Sequence, residues 1–359
     1  MDTNNIDQNK HTLIFSSIDK LVEDNIPALV EKDSRGSKYI LYGEDNLLPE
    51  YLYGLYNDVA TLKTIIDGTA DYVAGKDVII NVPGFEKTIN RMGMTGYELV
   101  KLLAGDYLRY GGCCYNVIKD KAGNKREIYY LDFRYIRSDE KNEMFFYSKD
   151  FAKKYVRGGN MIILPRYMET SDASSSVVYI KNNYSTTYPI PRYSGAIKDC
   201  EIERAIDALH LSGLQNGFAP SFMISFLNGT PSDEEKKEIE RDIREKFCGP
   251  RNVGRFILNF ANGKDNAAVI EKIESEDFGD KYNAASKRSR EQIYASFRAI
   301  PALFGIMTET TGFNTQEFGE AFKLFSATVI RPIQNTIIQS LEKVLGDGTI
   351  QIKQFSLEE

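Results

Sequence analysis

Ile300-Pro301-Ala302-Leu303-Phe304-Gly305, followed closely by Thr308-Glu309-Thr310-Thr311-Gly312-Phe313-Asn314, separates two stretches of helical periodicity. Upstream, over residues 278–299, Phe278, Tyr282, Ala285, Ile293 and Phe297 recur at helical spacing around a charged cluster, Lys287, Arg288, Arg290 and Glu291. Downstream, over residues 315–345, Phe318, Phe322, Phe325, Val329, Ile333, Ile337 and Leu341 follow one another at steps of three or four, the mark of one buried helical face. Pro332 falls inside that second stretch, where it must remove a backbone hydrogen bond and bend the rod. The expectation is two helices joined by a short apolar turn and a polar, glycine-containing loop. A plain helical hairpin with a proline kink explains the periodicity but not the polar loop.

Working outward, 359 residues suffice for a sizeable core and for two or three domains. Hydrophobic residues make up 42% and charged residues 27%, an ordinary globular balance. Lys and Arg number 45 against 51 Asp and Glu, a net charge of −6 that disfavours a protein held to nucleic acid by phosphate neutralisation. No run of about 18 apolar residues exists to span a membrane. The opening Met1-Asp2-Thr3-Asn4-Asn5 lacks the basic-then-apolar order of a signal peptide, so the chain is expected to remain in the compartment where it is made. Cys113, Cys114, Cys200 and Cys248 have no metal-ligand spacing and read as buried thiols. The two histidines, His11 and His210, have no neighbours that suggest a metal site or a catalytic triad.

In chain order, residues 1–38 are polar and read as a loosely held arm. A short strand is expected at 39–42. Pro49 opens a helix that runs to Gly75, with Gly54 and Gly68 as places where it could break. A strand at 78–82 precedes a helix over 97–110 with Leu99, Leu102, Leu103 and Tyr107 on one face. Strands follow at 113–119, 126–131, 135–137, 144–147 and 161–164, the first two joined by a turn at Gly123-Asn124. Residues 165–198 read as strand and loop, and a helix starts at Asp199 and ends near Gly217. After a strand at 222–226, Ser232-Asp233-Glu234-Glu235 forms a capping box for a polar helix that stops at Gly249-Pro250. Strands at 253–260 and 268–273 lead back to the first quoted helix.

The order of these pieces resembles the tailed-bacteriophage (HK97-like) portal protein family over residues 40–345. Ile300 to Gly305 is similar to the family's I-P-x-L-x-G segment, and Thr328-Val329-Ile330-Arg331-Pro332 through Ile337 to Leu341 is similar to its T-[V/I/L]-x-P-x-x-x-x-I-x-x-x-L helix. Tyr72-Val73-Ala74-Gly75, and Asp106, Leu108 and Gly111, match shorter pieces. The resemblance implies an α+β portal fold: an arm (1–38), an α/β wing (39–198), a stem helix (199–218), a small α/β clip (219–277) and a second stem helix (278–299). A tunnel loop (300–314), a long kinked wing helix (315–345) and a short tail (346–359) would complete it. Larger members of the family end in a helical crown, which here would be minimal or missing.

The resemblance implies a ring, usually of twelve copies, at one capsid vertex: a channel for double-stranded DNA packaging and ejection. Its partners would be a large terminase, a head-tail adaptor and the major capsid protein, with no cofactor, no enzymatic step and no membrane. The location would be the virion, and the host cytoplasm during assembly. Thr308, Glu309, Thr310, Thr311, Gly312, Phe313 and Asn314 would project into the channel. Lys287, Arg288 and Arg290 would face DNA phosphates, or pair with Glu291 and with acids of a neighbouring subunit. Asp233, Glu234, Lys236, Lys237 and Glu240 would meet partners, or simply be a solvated helix face. No phosphate-binding G-x-x-x-x-G-K-[S/T] loop exists, because Ala74-Gly75-Lys76 and Asn262-Gly263-Lys264 lack both the first glycine and the hydroxyl. A packaging motor would therefore be a different chain. The alternatives are another ring-forming virion connector or tail protein, and a nucleic-acid-processing enzyme, which the acidic charge and the missing motifs disfavour.

Overall fold

In the computed structural model, Pro49 occupies the first turn of α1, Leu48–Asp58, where its missing N–H costs nothing. The model describes residues 31–33, 38–85, 87–120, 126–152, 161–216, 220–226, 234, 237, 255–260, 276–306 and 315–355. Before α1, strands Glu31–Asp33 (β1) and Ile40–Tyr42 (β2) pair antiparallel, so part of the expected arm is an ordered ribbon. After it comes α2, Ala60–Ala74. The expected single helix is thus two, and the break lies at neither glycine. It falls at Val59, extended at φ −101 and ψ 105 and fully buried. The corner loses little, because Val59 donates to the Leu55 carbonyl and accepts from Lys63, each at 3.0 Å.

Strand β3 (Asp77–Ile80) leads to α3, Gly96–Tyr110, opened by a complete Thr95–Glu98 capping box and stopped by Gly111 at φ 82. The buried face of α3 is Leu99, Val100, Leu103, Ala104 and Leu108, whereas Leu102 is 39% exposed. The expected face is therefore rotated, because α3 packs on α2 and on the following strand at once. That strand is β4 (Gly112–Lys119), followed by β5 (Arg126–Leu131), β6 (Ile136–Ser138), β7 (Met144–Tyr147), β8 (Ile162–Pro165) and β9 (Ser175–Lys181). They form two antiparallel sheets, β5-β4-β9 and β6-β7-β8, with Cys113, Cys114, Tyr115 and Val117 of the central β4 all fully buried.

Helix α4 covers Ile197–Asn216, and strands β10 (Pro220–Phe226) and β11 (Arg255–Phe260) pair in parallel. A parallel pair needs a crossover connection. Of the polar helix expected there, Glu234 and Lys237 are described and are helical; the rest of it, and the strand at 268–273, lie outside the described residues. Helix α5, Glu276–Phe297, returns the chain. The chain divides into two compact units, residues 1–201 with 290–359, and residues 202–289, so the second is an insertion into the first.

The long C-terminal helix is not uniform. Helix α6 (Thr315–Phe325) passes into a π-helical segment, Ser326–Ile330, and then α7 (Arg331–Leu345). Arg331 donates to the Ser326 carbonyl, an i→i−5 bond. Pro332 thereby becomes a first-turn residue of α7, where no donor is required of it. Phe325, Val329, Ile333, Ile337 and Leu341 are buried, and Phe318 and Phe322 partly so. Helix α7 is tied to the sheet by Tyr115, whose hydroxyl donates to Ser340 O (2.7 Å), and by Arg126, which donates to Val344 O (2.6 Å) in its last turn. The short tail is a strand as well: β12 (Ile350–Lys353) pairs antiparallel with β3, Ile350 opposite Ile80 and Ile352 opposite Val78.

Candidate functional site

The segments on either side of residues 307–314 meet on one tyrosine. A 3₁₀ turn, Pro301–Phe304, is stopped by Gly305 at φ 81, and Ile306 follows, 40% exposed. Tyr72 of α2 donates to Leu303 O at 2.9 Å. Its ring meets Phe304 on the entering side (6.1 Å between centroids) and Phe322 and Phe325 of α6 on the leaving side (5.5 and 6.3 Å), all near edge-to-face. Phe355 of the tail closes the cluster at 5.9 Å, and Phe304 also meets Phe325 and Tyr294. Burial pushes the Tyr72 hydroxyl up, so it stays a neutral donor. Edge-to-face pairs contribute about 0.5–1.5 kcal/mol each beyond area burial, so the 3₁₀ turn and α6 are joined without charge. Gly68 makes room: a Cβ there would lie 3.0 Å from the Phe304 ring. Gln334 of α7, almost fully buried, donates to Val73 O at 2.8 Å and pairs with Gln354, fastening α2 to α7 and the tail.

A second cluster is charged. Asp106 of α3, 1% exposed, accepts from Arg109 (2.9 Å), the Tyr130 hydroxyl (2.8 Å) and the Phe133 amide (3.4 Å), joining α3 to β5 and the turn after it. Burial pushes its carboxyl up to about 7 against the pull of Arg109. Arg109 also lies over the Tyr56 ring, 4.2 Å from its centroid. Arg137 is fully buried and donates to neutral oxygens: Asn46 Oδ1 and the carbonyls of Asn46, Arg134 and Ile136. These groups hold segments together. Among the described residues no cluster of three or more His, Cys, Asp or Glu could hold a metal, and no helix is long and apolar enough to cross a membrane.

Of the residues singled out from the sequence, Thr308 to Asn314 lie outside the described residues, as do Asp233, Lys236 and Glu240. Glu234 and Lys237 are exposed. Lys287, Arg288 and Arg290 are exposed on α5, with buried Ser289 between them. The Tyr72 anchor is not visible as a site in the sequence. Its one signal is the short Tyr72-Val73-Ala74-Gly75 match.

A model of the phage portal protein family matches residues 90–358. The chain belongs to the phage portal protein family. Among solved structures it is similar to a chain of the neck of a native gene transfer agent particle computed with C12 symmetry: 18% identity, TM-score 0.54, covering 87% of this chain and 85% of that one. It also aligns with an HK97 family phage portal protein from Corynebacterium diphtheriae at 12% identity and TM-score 0.49, over 84% and 94% of the two chains. An uncharacterized protein of Rickettsia bellii (strain RML369-C) is 28% identical over 148 residues, 40% of this chain. That match spans only 37% of the relative's own length.

Proposed function

We propose that the chain is a portal subunit forming a homo-oligomeric ring, of about twelve copies, at one capsid vertex. Double-stranded DNA passes through the ring during packaging and ejection. Family membership over most of the chain carries this reading, and likeness to a chain in a C12-symmetric particle neck supports a ring in the virion. Unit 1 serves as the wing. Helices α4 and α5 (expected at residues 199–218 and 278–299) serve as stem, and residues 219–277, with β10 and β11, as the clip that meets terminase and head-tail adaptor through Asp233, Glu234, Lys236, Lys237 and Glu240. Leu209 and Leu211 of α4 stand 38% and 57% exposed, so neighbouring copies complete this part.

Thr308–Asn314 then projects inward as the constriction, fastened at its base by Tyr72. Small hydroxyls and Gly312 suit a surface past which DNA slides, and Glu309 repels the backbone rather than gripping it. Lys287, Arg288 and Arg290 supply a weak basic ring. The test is mass measurement and electron microscopy of the purified protein, with and without residues 308–312. We expect open rings from both, and impaired packaging or retention of DNA only with the deletion. A chain that stays monomeric sinks the ring, and deleted rings that hold full-length genomes sink the constriction. Closed discs or tail tubes point to another virion connector.

A further inference from the structure

Two arginines of unit 1 flank one aromatic stack, and among the described residues neither has a counter-ion. Arg298 directly follows α5 and adopts φ 53, a left-handed conformation in which glycine is at ease and a Cβ is crowded. Arg192 belongs to the segment packed against it, because the neighbouring residues, Tyr193 and Phe297, stack with centroids 5.3 Å apart and planes 21° apart. Both arginines are exposed, and among the described residues neither guanidinium makes a hydrogen bond or an ion pair. Loss of water around Arg192 pushes its guanidinium below the ordinary range, and the positive charge of Arg298 adds to the push. A cation at the end of α5 suits the helix dipole. Arg192, however, sits just ahead of the 3₁₀ turn Ser194–Ala196 that opens α4, where the dipole disfavours it. Helix capping therefore accounts for one arginine at most.

We propose that Arg192 and Arg298 form an oxyanion site that an Asp or Glu carboxylate of a second copy of this chain fills. The proposal rests on the ring reading above. A guanidinium offers forked donors that match a carboxylate, and 51 acids against 45 bases leave each copy a surplus of carboxylates. Copies of a chain with net charge −6 repel one another, so contacts of opposite charge must set the register of association. A DNA phosphate is the less suitable occupant, because paired arginines would arrest a polymer that has to slide.

Arg298→Gly separates recognition from folding, since glycine accepts the left-handed backbone and removes only the charge. Thermal unfolding of dilute protein and sedimentation across the association range are compared for wild type, Arg298→Gly and Arg192→Gln. We expect unchanged or higher unfolding midpoints, association weakened about tenfold or more, and a difference that shrinks as salt rises. A lower midpoint for dilute Arg298→Gly would assign that arginine to capping and overturn the site. So would variants that associate like wild type, or variants that assemble normally while their rings lose affinity for duplex DNA. A wild type that stays monomeric overturns the ring reading as well, whereas wild-type and variant rings of equal affinity overturn this site alone.

Discussion

The Tyr72 cluster and the Asp106 cluster both join remote parts of unit 1, and they do so with opposite chemistry. Tyr72 reaches a carbonyl 231 positions away and is surrounded by phenylalanine rings. Asp106 gathers a guanidinium, a phenol and an amide inside the protein. The aromatic anchor depends on shape and is indifferent to pH and salt. The ionic one is strong only while its charges balance. The base of the loop that this reading places against DNA is the part built without charge, so a passing polyanion has no lever on it.

Arg109→Met should break the ionic cluster with the largest effect. Removing one member of a buried pair costs about 4 kcal/mol, since it strands the other. The sign with pH follows from Asp106, whose folded-state carboxyl is pushed up to about 7 from 3.8. A raised acid contributes stability in full below its unfolded value, and that contribution is lost as pH climbs through the folded one. Without Arg109 the carboxyl moves higher still. The deficit measured by urea unfolding should therefore be larger at about pH 8 than at about pH 5. A deficit equal at the two pH values would mean that Asp106 does not titrate between them in either protein, and the contrast drawn above would collapse.

Tyr72→Ala should cost about 3 kcal/mol, as partly buried aromatic truncations do, by nearly the same amount at both pH values. Tyr72→Phe, which gives up only the bond to Leu303 O, should lose about 1 kcal/mol. The same urea unfolding checks both, and a loss for Tyr72→Ala that varies with pH or salt would erase the distinction between the two anchors.

The elements themselves were largely legible, because periodicity is local. The helix expected at 97–110 is Gly96–Tyr110, and the strand at 144–147 has its expected bounds. The misses each depend on a distant partner. Gly68 looked like a helix breaker, yet it is the notch for Phe304, while the buried Val59 takes the corner. Ile350 to Lys353 is too short to read as a strand until β3 is beside it. Periodicity puts Leu102 on the face that a single packed side would bury, and α3 packs on two sides. The Tyr72 anchor and the Arg192–Arg298 pair join residues far apart in the chain, and a single sequence carries no pairing information for them. Family motifs filled part of that gap: Asp106, on which three donors converge, sits in a short matching pattern.

The smallest effect tests whether the loop base is as tightly fitted as the geometry implies. In Gly68→Ala the added methyl would lie 3.0 Å from Phe304 Cδ1 and Cε1, closer than carbons normally approach. Alanine gains about 1 kcal/mol over glycine inside a helix, while overpacking costs about 1–3 kcal/mol, so net stability should shift by only about 1 kcal/mol. The informative readout is local. Phe304 cannot simply yield, being held by Tyr72, Tyr294 and Phe325, so the whole 3₁₀ turn must move with it. The Gly305 amide reaches Ala302 O at 3.5 Å and the Ile306 amide reaches Pro301 O at 3.2 Å, both long bonds with little to lose. Hydrogen exchange at these two amides should accelerate while the α2 amides keep their protection. If exchange there is unchanged and alanine delivers its full helical gain, Phe304 has room to spare, and the fixed loop base is not an anchor.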